Sequence, residues 1–262
     1  MTEQRPTADF GRCVYGAGIV ALGLVFLAFR AFAGGQSVPD NMPGRAVLAC
    51  LVGAFLLIAG AAVIWQRTAA WGAAALTAYY AIVVVVLMDG LVIIQNAAEY
   101  GAYSGAAEEA AIAAAGLIVY AANARIDAAQ AAHLTRIGQL AFGVCAVLFG
   151  GAHFVYMNLT APLIPKWLPP SQLFWGYATG VFHIAGGLAI LAGFRARLAA
   201  ILLTAMYAAF TPLVHIPTLF ADPHRAFFWS ENALNLVLVG VAWVVADSLG
   251  RTTMAPAPAS AA

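Results

Sequence analysis

Residues 70–95 read AWGAAALTAYYAIVVVVLMDGLVIIQ, an apolar run whose only formal charge is Asp89. A bilayer core about 30 Å thick is crossed by about 20 apolar residues in a helix rising about 1.5 Å per residue. A run of this length is therefore a membrane span. The rest of the chain agrees with it. Of 262 residues, 63% are hydrophobic and 9% charged, against about a quarter charged in soluble domains, and this excludes a soluble fold. Twelve Lys and Arg against 11 Asp and Glu leave a net charge of +1, so no basic surface points to nucleic acid.

Outward from 70–95, apolar runs bounded by charge, Pro or Gly predict helices over 12–33, 46–65, 106–123, 134–157, 172–193, 196–217 and 228–248. That makes eight spans in an all-α integral membrane protein. The Ala-rich run 106–123, which carries Glu108 and Glu109, is the weakest of them. With the N-terminus inside, Arg5, Arg12, Arg67, Arg125, Arg136, Arg195, Arg197 and Arg251 fall in cytoplasmic segments. Only Arg30, Arg45, Lys166 and Arg225 fall outside. The positive-inside rule then puts both termini in the cytoplasm, as in a bacterial inner (plasma) membrane. Arg5 and Arg12 precede a run ending in Ala31-Phe32-Ala33, which mimics a secretory signal. The length of the run and its internal counterpart argue for a retained span. The Ala- and Pro-rich tail, 251–262, predicts no packed structure.

Sliding the chain against itself by about 127 positions pairs Gly16 with Gly143, Gly23 with Gly150, Gly53 with Gly180, Gly60 with Gly187, Thr77 with Thr204 and Tyr80 with Tyr207. With a one-residue slip, Val38-Pro39 and Pro43 match Ile164-Pro165 and Pro169. The reading is a tandem duplication: a divergent first repeat at 1–125 and a second at 126–250. Each repeat has four spans, an even number, so the two four-helix bundles share one orientation.

Ionisable groups at bilayer depth usually face protein or a watery cavity. His153, His183 and His215 lie within spans five, six and seven, and Glu231 opens span eight with Asn235 one turn on. Helical rise places His153, His215 and Glu231 at one depth, roughly 10 Å outside the midplane, with His183 deeper. Gly176, Gly180, His183 and Gly187 form one stripe, and Thr204, Ala208, Thr211 and His215 another. The predicted pocket is therefore His153, His183, Thr211, His215, Glu231 and Asn235. At the positions matching the histidines the first repeat carries Phe26, Leu56 and Met88, so the histidines are not needed merely to build the bundle. Glu108 or Glu109 is the counterpart of Glu231, and Asp89 is a further buried-acid candidate. Pro212, just before His215, is placed to kink span seven.

Several chemistries remain open for this set. His153, His215 and Glu231 have donor types that suit zinc, iron or manganese, a haem between two histidines is conceivable, and a polar pocket would take a quinone, a small anion or water. In the quinone reading a histidine passes a proton to a quinone oxygen while Glu231 holds the ring's other nitrogen. Packing alone, with the histidines on backbone carbonyls, is the bland alternative. Cys13, Cys50 and Cys145 are isolated and form no C-x-x-C pair, so dithiol chemistry lacks its thiols.

The second repeat resembles the DoxX-like family of small four-helix membrane proteins. The resemblance rests on Gly150-Gly151-Ala152-His153-Phe154-Val155-Tyr156, Ile164-Pro165-Lys166-Trp167-Leu168-Pro169, Trp175-Gly176-Tyr177-Ala178-Thr179-Gly180 and the run from His183 to Gly193, and covers about residues 138–248. It implies a redox-associated subunit in the bilayer, alongside other membrane or redox subunits, while the shared depth of His153, His215 and Glu231 predicts that the pocket faces outward. The first repeat departs from the pattern at both histidines. A non-catalytic scaffold and a small-molecule transporter are the other functions the sequence allows, and whether the protein is an enzyme stays open.

Overall fold

The computed structural model describes residues 10–32, 36–39 and 41–252. Eight helices are long and apolar enough to cross a membrane: α1 (Phe10–Phe29), α2 (Arg45–Ile64), α3 (Ala69–Gln95), α4 (Tyr100–Asn123), α5 (Ala128–Val155), α6 (Gln172–Ala192), α7 (Ala196–Ala221) and α8 (Ala226–Gly250). No strand occurs among the described residues. The architecture is that of an all-helical integral membrane protein.

Local chemistry sets the boundaries. The Asp127 carboxylate accepts from the Gln130 N–H at 2.8 Å, and Ser171 Oγ accepts from the Phe174 N–H at 3.1 Å, so each caps the helix that follows. The cap at Asp127 starts α5 well before the predicted 134. Gly193, at φ +71°, ends α6 in the left-handed conformation that glycine adopts without strain, and α7 starts three residues later. The last helix runs on to Thr252, two residues into the predicted tail, and 253–262 lie outside the described residues. The signal-like pattern ending at Ala33 also falls partly outside them.

Four glycine pairs clamp two pairs of helices. A methyl group at Gly16, Gly23, Gly53 or Gly60 would sit 2.7–2.9 Å from a backbone oxygen of the facing helix, Gly16 against Gly60 and Gly23 against Gly53. In α5 and α6 the same holds for Gly143 against Gly187 and Gly150 against Gly180, at 2.6–3.3 Å. Only glycine allows backbones this close, and that contact drives association where lipid is as apolar as the side chains. Arginines close the ends of both pairs. Arg12 donates to the carbonyls of Val63 and, at 2.7 Å, of Ile64, and Arg136 donates to the Leu191 carbonyl at 3.1 Å. Each arginine thereby supplies donors to the last turn of the neighbouring helix.

The two sets of four do not form separate bundles. α1 packs most extensively on α8 and α2, and α5 most extensively on α6 and α4. α4 also touches α8, which places these two helices at the centre. In α4 and α8, 67% and 72% of the apolar window is buried, against 17% in α3 and α7. This explains why 106–123 reads as a weak span. A helix enclosed by protein needs small residues for close contact rather than large ones for lipid, and alanine supplies them. In the structure it begins six residues earlier, at Tyr100.

Two wide turns interrupt the outer helices. Tyr79–Asp89 of α3 and Thr211–His215 of α7 are wound as π-helix. In α7 the cause is Pro212, which has no N–H to give the preceding turn. The Tyr207 carbonyl, five residues earlier, is taken instead by Asn235 Nδ2 at 3.2 Å, and the same amide donates to Thr211 Oγ1 at 2.8 Å. In α3 the wide stretch coincides with the β-branched run Ile82 to Val86, whose stiff side chains crowd an α-helical turn.

Candidate functional site

A chamber of about 230 Å³ opens at one end of the protein, where α5 passes into the short helix Met157–Thr160. Its polar lining is His153, Tyr156 and Thr160 from α5 and the turn after it, His183 from α6, Tyr207 and His215 from α7, Glu231 and Asn235 from α8, and Ser104 and Glu108 from α4. Phe149, Phe210, Leu234 and Leu238 supply its apolar walls. Five of the six residues predicted for a pocket line it. Thr211 does not; it stands behind the wall as the acceptor for Asn235.

Two histidines form the back of the chamber. The rings of His153 and His183 stand 5.0 Å apart, centroid to centroid, and His183 is only 2% exposed, with Phe149 and Tyr207 also against its ring. His183 Nδ1 lies 2.8 Å from the Thr179 carbonyl, and His153 Nδ1 lies 3.2 Å from the Gly176 carbonyl and 3.1 Å from Thr179 Oγ1. A carbonyl only accepts, so each Nδ1 is the protonated, donating nitrogen, and each Nε2 is left for other partners. The Thr179 hydroxyl donates to the Trp175 carbonyl at 2.8 Å, which fixes its remaining lone pairs toward His153.

The arrangement corrects two sequence expectations. Glu231 does not hold the far nitrogen of His153 or His183, because each has its Nδ1 on an α6 carbonyl, and no hydrogen bond joins Glu231 to His215 among the described residues. Nor do His153, His215 and Glu231 make a metal triad. Among the described residues no three His, Cys, Asp or Glu side chains are grouped so that they could hold an ion. A haem fares no better. At about 230 Å³ the chamber is smaller than the roughly 300–1,000 Å³ of pockets that take drug-sized ligands.

Glu108 is the residue that sequence reasoning underweighted. It faces Glu231 across the chamber, and the two lie in electrostatic range. Ser104 and Glu108 stand one turn apart on α4, as Glu231 and Asn235 do on α8, and the displacement that aligns the glycines pairs Ser104 with Glu231 and Glu108 with Asn235. Applied here, the same offset would have found the site on both central helices.

A larger cleft of about 620 Å³ runs along the outer face between α6 and α7, lined by Trp175, Phe182, Ala189, Leu198, Leu202, Met206 and Leu213 among others. It shares one wall residue with the chamber and is tied to it by one hydrogen bond. Phe210 lines both spaces, and Thr179, which lines the cleft, holds His153 by hydrogen bond.

Residues 140–246 match the model of a family described as a domain of unknown function (DUF8561). No curated protein and no solved structure matches the chain. The matched stretch begins within α5 and ends within α8, so it spans the four helices that supply most of the chamber.

Proposed function

We propose that this chain is a DoxX-like membrane protein, a tandem pair of four-helix units in one orientation with both termini in the cytoplasm. Its chamber binds the polar ring of an isoprenoid quinone, and the protein serves as a redox-associated subunit. The observation that carries the reading is that a polar chamber and an apolar cleft stand side by side, with Phe210 as their shared wall and Thr179 of the cleft bonded to His153 of the chamber. A quinone has these two parts, a small ring with hydrogen-bonding oxygens and a long apolar tail. In this reading the tail lies in the cleft and the ring in the chamber, past Phe210. When bound, the quinone supplies two-electron, two-proton redox chemistry. The protein's own residues orient and hold protons: His153 and His183 line the chamber with Nδ1 committed to α6 and Nε2 left for a guest, while Glu108 and Glu231 are carboxyls able to give or take a proton there. A small anion, the other guest the sequence allows, would pass between Glu108 and Glu231 with no Lys or Arg in the lining.

The duplication draws support from the repeated glycine pairs, the paired arginine caps and the wide turns at corresponding places in α3 and α7. Those wide turns also favour a second reading, a small-molecule transporter, because interrupted helices in both repeats are where such proteins build their sites. A scaffold role gains nothing from the glycine stripes, which are used in contacts within the chain.

Titration of the purified protein with a short-chain quinone tests the first reading. One quinone should bind per chain, and His153→Ala and His215→Ala should each weaken binding at least about tenfold, or about 1.4 kcal/mol. Binding equal to wild type in both variants overturns the reading. Proteoliposome uptake of a solute with no quinone dependence would favour the transporter.

A further inference from the structure

A second group of buried polar side chains lies in the first four helices, outside the chamber. Asp89, near the end of α3, is 3% exposed, and its Oδ1 accepts from Ser37 Oγ at 3.3 Å. Ser37 itself is exposed in the α1–α2 connection. Glu109 on α4 is 2% exposed and within electrostatic range of Asp89, Tyr79 and Tyr80. The Tyr79 hydroxyl donates to Gln36 Oε1 at 2.9 Å, which brings Gln36 to the same place. Two buried carboxyl oxygens here, Asp89 Oδ2 and Glu109 Oε2, have no hydrogen-bond partner among the described residues, and Tyr80 Oη and Gln36 Nε2, beside each other, make no bond of good geometry. Open polar atoms gathered in one interior place mark a seat for water or a proton. Gln36 Nε2 is a donor and would repel a bare cation, whereas water satisfies donors and acceptors together.

Glu109 has a neighbour that faces the other way. Glu108, one residue back and so about 100° around the helix, lines the chamber. Glu108 is within electrostatic range of Glu109, Asp89 and Glu231. The three carboxyls thus lie within range of one another, with Asp89 bonded to Ser37 at one end and Glu108 lining the chamber at the other, and among the described residues no hydrogen bond joins a Lys or Arg to any of them. A row of unpaired anions at this depth is untenable, so it must hold protons. The other titratable groups facing the row are Tyr79 and Tyr80 from α3, Tyr207 from α7 and the three chamber histidines.

We propose that Asp89, Glu109 and Glu108 form a proton-carrying row, with water seated among the open polar atoms, that links the surface at Ser37 to the chamber. In each step a proton leaves the O–H of one carboxyl and joins a carboxylate oxygen of the next, directly or through water. No electron moves, and the net result is one proton exchanged between the surface and the chamber. The divergent first repeat then has a function of its own, supplying protons to the site in the second. The row stands on the geometry of the chamber and not on the identity of its guest.

Infrared spectroscopy of the ligand-free protein tests this. At neutral pH the wild type should show the C=O stretch of a protonated carboxylic acid, and Glu109→Gln should remove one such component. On transfer to deuterated water the band should shift promptly, and Asp89→Asn should slow the shift at least tenfold. Absence of a protonated band in the wild type, or a band and shift rate unchanged in both variants, overturns the proposal. If Glu109→Gln fails to accumulate, Glu109→Asp keeps the carboxyl but moves it, and an unmoved band frequency overturns the proposal equally. No quinone is present, so failure here is separate from failure of quinone binding.

Discussion

His153 and His183 stand with ring centroids 5.0 Å apart, and both turn Nδ1 toward α6, one to the Gly176 carbonyl and the other to the Thr179 carbonyl. Two imidazoles from different helices are thereby held in one tautomer by a single helix. That pre-orientation is what a binding site requires of its polar groups, because it leaves little to be ordered when a guest arrives.

The first four helices supply a test of whether this pair is structural. Leu56 occupies the place corresponding to His183 and is fully buried. His183→Leu should therefore fold, with stability in detergent within about 1 kcal/mol of wild type, because only one net hydrogen bond is lost. Quinone binding should weaken about tenfold. A variant that fails to fold would assign His183 to packing.

Glycine contacts give predictions of opposite sign. A methyl group at Gly150 would meet the Gly180 oxygen at 2.6 Å, so Gly150→Ala should destabilise the protein by about 1–3 kcal/mol through overpacking. Gly23→Ala, facing the Gly53 oxygen at 2.7 Å, should behave alike. Gly105, within α4, has nothing within 4 Å of an added methyl, and Gly105→Ala should gain up to about 1 kcal/mol of helix stability. Denaturation in mixed detergent micelles measures all three.

Asn235 and Pro212 should prove energetically coupled. Asn235→Leu leaves the Tyr207 carbonyl without its donor and should cost about 1–3 kcal/mol. In a Pro212→Ala background the helix regains an N–H for that turn, so the same change should cost less. A double-mutant cycle measures the difference, and strict additivity would refute the account of the wide turn in α7.

How far the sequence carried the structure follows from what hydropathy and helical spacing encode. Both report length and facing direction, so the eight spans and the buried stripe through His183 were legible. The stripe drawn through Thr204, Ala208, Thr211 and His215 fails, because the π-wound turn breaks its spacing and Ala208 is exposed. Neither reports which helix becomes a helix's neighbour. The packing of α1 on α8 and α5 on α4 was therefore hidden, and with it the central place of α4 and the approach of Glu108 to Glu231. Position along a helix also proved a weak guide to distance. His183 read as deeper than His153, yet the close contact of Gly150 with Gly180 draws the two rings together. In α7, Pro212 announced an irregular turn, whereas the longer one in α3 contains no proline to mark it.

The most direct test of the central claim is photolabelling of the purified protein with a photoreactive quinone, with the adducts located by mass spectrometry. Labels should fall on chamber residues around 149–160, 207–215 and 231–238, and excess unmodified quinone should suppress them. Labels spread over the lipid-facing surfaces of α2 and α3, or labels that excess quinone leaves unchanged, would contradict it.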